Sequence, residues 1–149
     1  MTKETAFWDA SALVPLCLYE PTTGQARSFL RKLAPVTWWG SKVEVHSAIA
    51  RLDRTGKLTD VERKRALARL SVLSSGWKEI LPSDHLRELA ILVLDKHDLR
   101  AADSLQMAAA MMWCQQRPSK RCFICGDQRL SKAAQTVGFA VLRLSAFVP

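Results

Sequence analysis

Apolar positions along this chain fall into two rhythms: short runs of four to six residues, and longer stretches repeating every three or four. Residues 5–8 read as a strand, and a helix follows from about Ser11. The stretch "TTGQARSFLRKL" then predicts a second helix and "PVTWW" a second strand. Residues 41–56 carry Val45, Ile49 and Leu52 on one helical face, with Gly56 near the end. Residues 59–76 form the next helix, and Thr59 and Glu62 have the spacing of a capping box. Together these two make a helical hairpin arm. A short strand at 77–81 precedes helices at 83–97 and 99–116, a strand at 120–127, a helix at 128–138 and a last strand at 139–144.

Strands that alternate with helices predict an α/β fold: a central, mostly parallel sheet of about five strands, flanked by helices on both faces through right-handed crossovers. The 149 residues suit one core, so residues 1–149 are read as a single domain without repeats, linkers or low-complexity tracts. In open sheets of this kind ligands bind beyond the carboxyl ends of the strands. Asp9, directly after the first strand, stands at such an end.

Charge changes the picture next. Lys and Arg number 22 against 14 Asp and Glu, a net +8 that favours a polyanionic partner, nucleic acid foremost. No apolar run is long enough to cross a bilayer, and the amino end reaches Asp9 before any secretory h-region develops. The expected compartment is the cytoplasm, with no membrane partner. Cys17, Cys114, Cys122 and Cys125 sit in apolar surroundings, which predicts buried, reduced thiols and no zinc knuckle. His46, His85 and His97 form no metal-binding pattern.

Four carboxylates carry the candidate chemistry. Asp9 ends one strand, Glu44 lies in the first turn after "VTWW", Asp127 follows "CFIC", and Asp103 sits in the helix before that strand. Asp9 and Asp127 also suit helix N-caps, and Ser41 with Glu44 has capping-box spacing, so each has a purely structural role open to it. Asp103 is different, because its helix is apolar on nearly every side; Arg100, three residues earlier, is its local partner. If the four converge, two charges about 5 Å apart repel by roughly 3 kcal/mol at an effective dielectric of about 20. A hard divalent cation relieves that repulsion, and oxygen donors without His or Cys suit Mg²⁺ or Mn²⁺. Beside Asp103, Ser104 and Gln106 are the natural supporting groups.

In order and spacing, "FWDASALVPLCLYEP", "SKVEVHSAIARL", "LRAADSLQMAAA" and "CGDQRLSKAAQTVGF" resemble the acidic motifs of PIN-domain ribonucleases, specifically the VapC-type toxins of type II toxin-antitoxin modules. The likeness covers nearly the whole chain. It implies a PIN-like fold, a catalytic quartet of Asp9, Glu44, Asp103 and Asp127 binding Mg²⁺ or Mn²⁺, and Ser11 supporting the first acid. It also implies an endoribonuclease acting on RNA, tRNA or rRNA by family habit, working as a homodimer and restrained by a cognate antitoxin. Hydrolysis by a metal-activated water would leave 5′-phosphate and 3′-hydroxyl ends. Two departures stand out: Cys125 and Gly126 precede Asp127 where relatives often carry Thr or Ser, and Gln128 follows it where some offer a further ligand. Trp8, Trp38 and Trp39 are read as core or dimer-surface residues.

Residues 51–69 are the densest positive stretch, and Arg51 and Arg54 there, with Arg129 and Lys132 past Asp127, are the candidate RNA contacts. The other reading is a catalytically inactive PIN-like RNA-binding or regulatory module whose acids only cap helices. A phosphoryl-receiver domain fits less well, since no second acid stands two residues after Asp9.

Overall fold

The computed structural model describes residues 3–145; the remaining ends of the 1–149 domain lie outside the described residues. The elements run β1 (Glu4–Trp8), α1 (Ala10–Cys17), α2 (Thr23–Lys32), β2 (Leu33–Trp38), α3 (Ser41–Arg54), α4 (Asp60–Gly76), β3 (Lys78–Ile80), α5 (Asp84–Lys96), α6 (Ala101–Trp113), β4 (Cys122–Cys125), α7 (Gln128–Val137) and β5 (Ala140–Arg143). The five strands order as β3-β2-β1-β4-β5, and every pairing is parallel.

Strand alternation divides the interior in two. Ala6, Trp8 and Ile124 face a core closed by α1 to α4, with Leu13, Val45, Ile49 and Leu70. Phe7, Phe123 and Cys125 face the opposite core, under α5, α6 and α7, with Val36, Leu86, Met107 and Leu130. Phe7 and Phe123 are register partners whose rings stack at 5.4 Å, so β1 and β4 are joined by backbone and side chain together. Cys122 and Cys125 fall in opposite cores, as residues three apart on a strand must. All four thiols are free; Cys17, Cys114 and Cys125 are buried, but Cys122 is only half-buried, since its strand starts near the open end of the sheet.

The hairpin arm forms as read, and the Thr59–Glu62 box closes with bonds of 2.9 and 3.1 Å. The capping box that the spacing of Ser41 and Glu44 leaves open does not form. Gly40 precedes α3 without a side-chain cap, and the Ser41 hydroxyl is taken by Gln106 of α6 instead. Leu33, read as helical, begins β2 because Glu4 of β1 pairs with it. Trp8 and Trp38 are core residues, whereas Trp39 is 55% exposed.

The strand order reverses about β1, with β2 and β3 on one side and β4 and β5 on the other. At such a switch the connections after adjacent strands part to opposite faces and leave a crevice at their carboxyl ends. The ends of β1 and β4 define it here.

Candidate active site

Asp9 follows β1 with extended backbone and caps α1. Its amide donates to Ile124 O at 3.0 Å, which continues the β1–β4 ladder and fixes the residue beside the end of β4. The carboxylate is 3% exposed and accepts through Oδ2 from the Ser11 amide at 3.1 Å and from the Ser11 hydroxyl. Ser11 Oγ in turn accepts from the Gly126 amide at 2.8 Å. Thus the residue read as a support for Asp9 also ties α1 to the turn after β4. The Cys125 thiol points to the same Asp9 oxygen at 3.7 Å, and burial beside that carboxylate pushes it up to about 12. It is therefore a neutral neighbour.

In sequence Gly126 is one of the departures from the resembled motif, and the fold gives it a reason. A Cβ there would lie 3.1 Å from the Ser11 carbonyl oxygen, so the close passage of this turn over α1 favours glycine, and any side chain would press on the α1 backbone. Asp127 then caps α7, its Oδ1 accepting from the Leu130 amide at 2.8 Å.

Glu44 lies one turn into α3, half-buried, and accepts at Oε1 from Gln106 Nε2 at 3.1 Å. The same Nε2 reaches Ser41 Oγ at 3.0 Å, so Gln106, fully buried in α6, joins the start of α3 to the site. Sequence reasoning placed Gln106 beside Asp103; the structure gives it to Glu44. Ser104, also buried, donates to Ala101 O within its own helix at 2.8 Å. Asp103 stands in the first turn of α6 and is half-buried, less enclosed than its apolar helix implied, because helix starts here open towards the crevice.

The four acids share one electrostatic neighbourhood. Burial first, then Asp103 nearby, pushes Asp9 up to about 6; burial, Asp9 and Asp103 push Glu44 up to about 7. Asp103 is raised by burial and by Asp127, while Arg100 and Arg129 pull it down. Asp103 thereby couples to the other three. Among the described residues, however, no three His, Cys, Asp or Glu side chains are grouped so as to hold an ion together as they stand. The reason is local: Asp9 is turned to Ser11, Asp127 to the α7 amides and Glu44 to Gln106. An all-carboxylate donor set still fits Mg²⁺ or Mn²⁺ in kind, because Mg²⁺ commonly keeps several waters and takes only one or two carboxylates directly.

Of the candidate RNA contacts, Arg129 and Lys132 are exposed on α7 and line a cleft whose wall includes Asp103 and Asp127. Arg51 and Arg54 are exposed in the last turn of α3. A rise of about 1.5 Å per residue puts them roughly 10 and 15 Å along the helix from Glu44.

No protein-family model and no curated protein matches the sequence. Solved structures do match. PAE2754 from Pyrobaculum aerophilum superposes with a TM-score of 0.64 at 17% identity, over 95% of this chain and 90% of that one. FitAcB from Neisseria gonorrhoeae gives 0.63 at 14% identity, over 92% and 96%. The fold is PIN-like. A toxin-antitoxin complex from Klebsiella pneumoniae gives 0.60 at 14% identity, over 97% and 100%. The PIN-like fold thus spans nearly the full length of this chain, with the acids at its switch point.

Proposed function

We propose that the chain is a metal-dependent endoribonuclease, the toxin of a toxin-antitoxin pair. One observation carries the reading: four carboxylates from four separate segments, coupled through Asp103, at the carboxyl edge of a PIN-like fold. The Klebsiella pneumoniae match, itself a toxin-antitoxin complex, supports the toxin role. The strong positive balance of the chain supports a nucleic-acid substrate.

Asp9, Glu44, Asp103 and Asp127 would hold Mg²⁺ or Mn²⁺, directly or through water. When bound, the ion lowers the pKa of water and neutralises charge that develops on phosphorus and the leaving oxygen. The chain's own residues set the geometry. Ser11 holds Asp9 against the turn after β4, and Gln106 holds Glu44 against α6. Arg129 and Lys132 would place the scissile phosphate.

Two surfaces fit the partners of such a toxin. An apolar groove of about 380 Å³ between α1, α2 and α4, lined by Leu16, Leu30, Val72 and Leu73, would seat an antitoxin segment. The exposed pair Trp39 and Val43 supports a homodimer contact. Among the described residues no helix is long and apolar enough to cross a membrane.

The test is incubation of the purified protein with total tRNA and rRNA in Mn²⁺ or Mg²⁺, with a chelator control, and mapping of the new ends. Cleavage leaving 5′-phosphates, lost on chelation and in Asp103→Asn, is expected. Ends carrying 2′,3′-cyclic phosphate would overturn the chemistry. A second reading has its own support, since Asp9 and Asp127 do cap helices: an RNA-binding module without catalysis. That module would bind RNA and cleave none of it under any of these conditions.

A further inference from the structure

A cleft of about 1020 Å³ opens between the α5–α6 connection and α7. Lys96 and Arg100 stand on one wall and Arg129 and Lys132 on the other, while Asp103 and Asp127 belong to the same lining; Asp9 and Glu44 do not. Asp98 is on the first wall, and its Oδ2 lies 4.0 Å from Arg129 Nη1. All four cations are exposed.

We propose that this cleft, rather than the basic arm, grips the sugar-phosphate backbone of the RNA strand next to the acidic edge, and that Asp98 competes with the strand for Arg129. The inference rests on the nuclease reading for its substrate but not for its geometry. Four cations face three carboxylates here, and two of those three are the acids that a bound ion would neutralise, so the cleft becomes strongly positive when the site is loaded. Arg100 and Arg129 already act electrostatically on Asp103, which places both within reach of a phosphate at the acids.

Two cations of the arm are engaged within the fold. Arg69 donates to the Cys17 carbonyl at 3.3 Å and Arg63 lies 3.9 Å from Asp53. The cleft is lined by Asp103 and Asp127 themselves, whereas Arg51 and Arg54 stand roughly 10 and 15 Å along α3 from Glu44, so a strand at these two acids lies against the cleft. The Asp98–Arg129 pair is solvent-exposed and at the distance limit for an ion pair, so a phosphate displaces it at little cost.

The experiment measures Kd for a labelled single-stranded RNA across a KCl series with the site loaded by Ca²⁺, a hard cation that takes the same oxygen donors, and with the RNA checked to be intact after each measurement. With four phosphate contacts, the log–log slope expected of the wild type is about −2.8, at about −0.7 per contact. Lys96→Ala, Arg100→Ala and Lys132→Ala should each flatten that slope by about 0.7, with circular dichroism unchanged. Arg51→Ala and Arg54→Ala should leave it alone. Asp98→Asn should tighten binding by about two- to fivefold, in keeping with release of an exposed pair.

Flattening by the arm variants with no response in the cleft variants would overturn the proposal, as would an Asp98→Asn protein that binds no tighter. So would a wild type with no affinity for RNA, which would leave the cleft to a protein partner. The two readings fail separately. Metal-dependent cleavage with an unresponsive cleft removes only the cleft assignment, while a responsive cleft without cleavage in Mn²⁺ or Mg²⁺ removes only the nuclease.

Discussion

Asp9 is buried at 3% exposure, yet its carboxyl has no cation against it, only the Ser11 donors, the Ala10 amide and the Cys125 thiol. Its rise to about 6 is therefore a standing cost of the folded state at neutral pH. A raised folded pKa means that full stability is present below the unfolded value, near 4, and is lost as pH rises through about 6. The loss attached to Asp9 is on the order of 3 kcal/mol. Urea unfolding in chelator should accordingly give a protein less stable at pH 8 than at pH 5, and Mn²⁺ should restore much of the difference at pH 8. Asp9→Asn should be more stable than wild type at pH 8 without metal, and inactive; a variant no more stable there would refute the assignment of strain to this carboxylate.

Gln106 is the complementary case. It is fully buried and its amide serves both Ser41 and Glu44. Gln106→Leu leaves those groups without their donor and should cost about 1–3 kcal/mol in urea unfolding. Carboxylates directly after apolar strands, such as Asp9 and Asp127, are conspicuous in sequence. Sequence could not place Gln106 against Glu44, since that bond links residues far apart along the chain and has no local signature.

At the level of elements, the positions of α1, α3 and α7 decide where the acids point, and two of these depend on glycines. A Cβ on Gly40 would sit 2.6 Å from Trp38 Nε1, so α3 can begin only where a residue without a side chain lets the indole pass. Because Trp38 is buried at 7% exposure, it has little room to yield. Gly40→Ala should therefore destabilise by about 1–3 kcal/mol, disturb the near-ultraviolet tryptophan signal, and lower activity through Glu44. Gly126→Ala presses on backbone of α1, and a severalfold loss of cleavage with modest loss of stability is expected; unchanged activity would mean the turn after β4 adapts freely. The helices were legible from period and caps, as the Thr59–Glu62 box attests. Ser41 and Glu44 have the same local spacing, but no box forms there, because a buried partner on α6 engages both side chains. Leu33 joined β2 for a similar reason: a parallel partner overrode its helical neighbours.

For the molecule as a whole, alternation of strands and helices was enough to read the layers, and the sheet is fully parallel, slightly more regular than expected. The distribution of charge was less accessible. The densest basic run along the chain lies on the arm, but folding brings Lys96, Arg100, Arg129 and Lys132 together from two distant segments beside Asp103 and Asp127. Linear density is a poor guide to surface potential when cations from separate helices share one cleft.

The central place of β1 carries one more implication. Its neighbour β4 is translated long after it, and the Asp9 amide bonds to Ile124 while Ser11 waits for Gly126. Until β4 and the turn after it have left the ribosome, the first acid has neither its companion strand nor Asp127. A nascent chain thus carries Asp9 for a long stretch of synthesis without the surroundings that make it part of a site, and the acids come together only once the segment through Asp127 has been made.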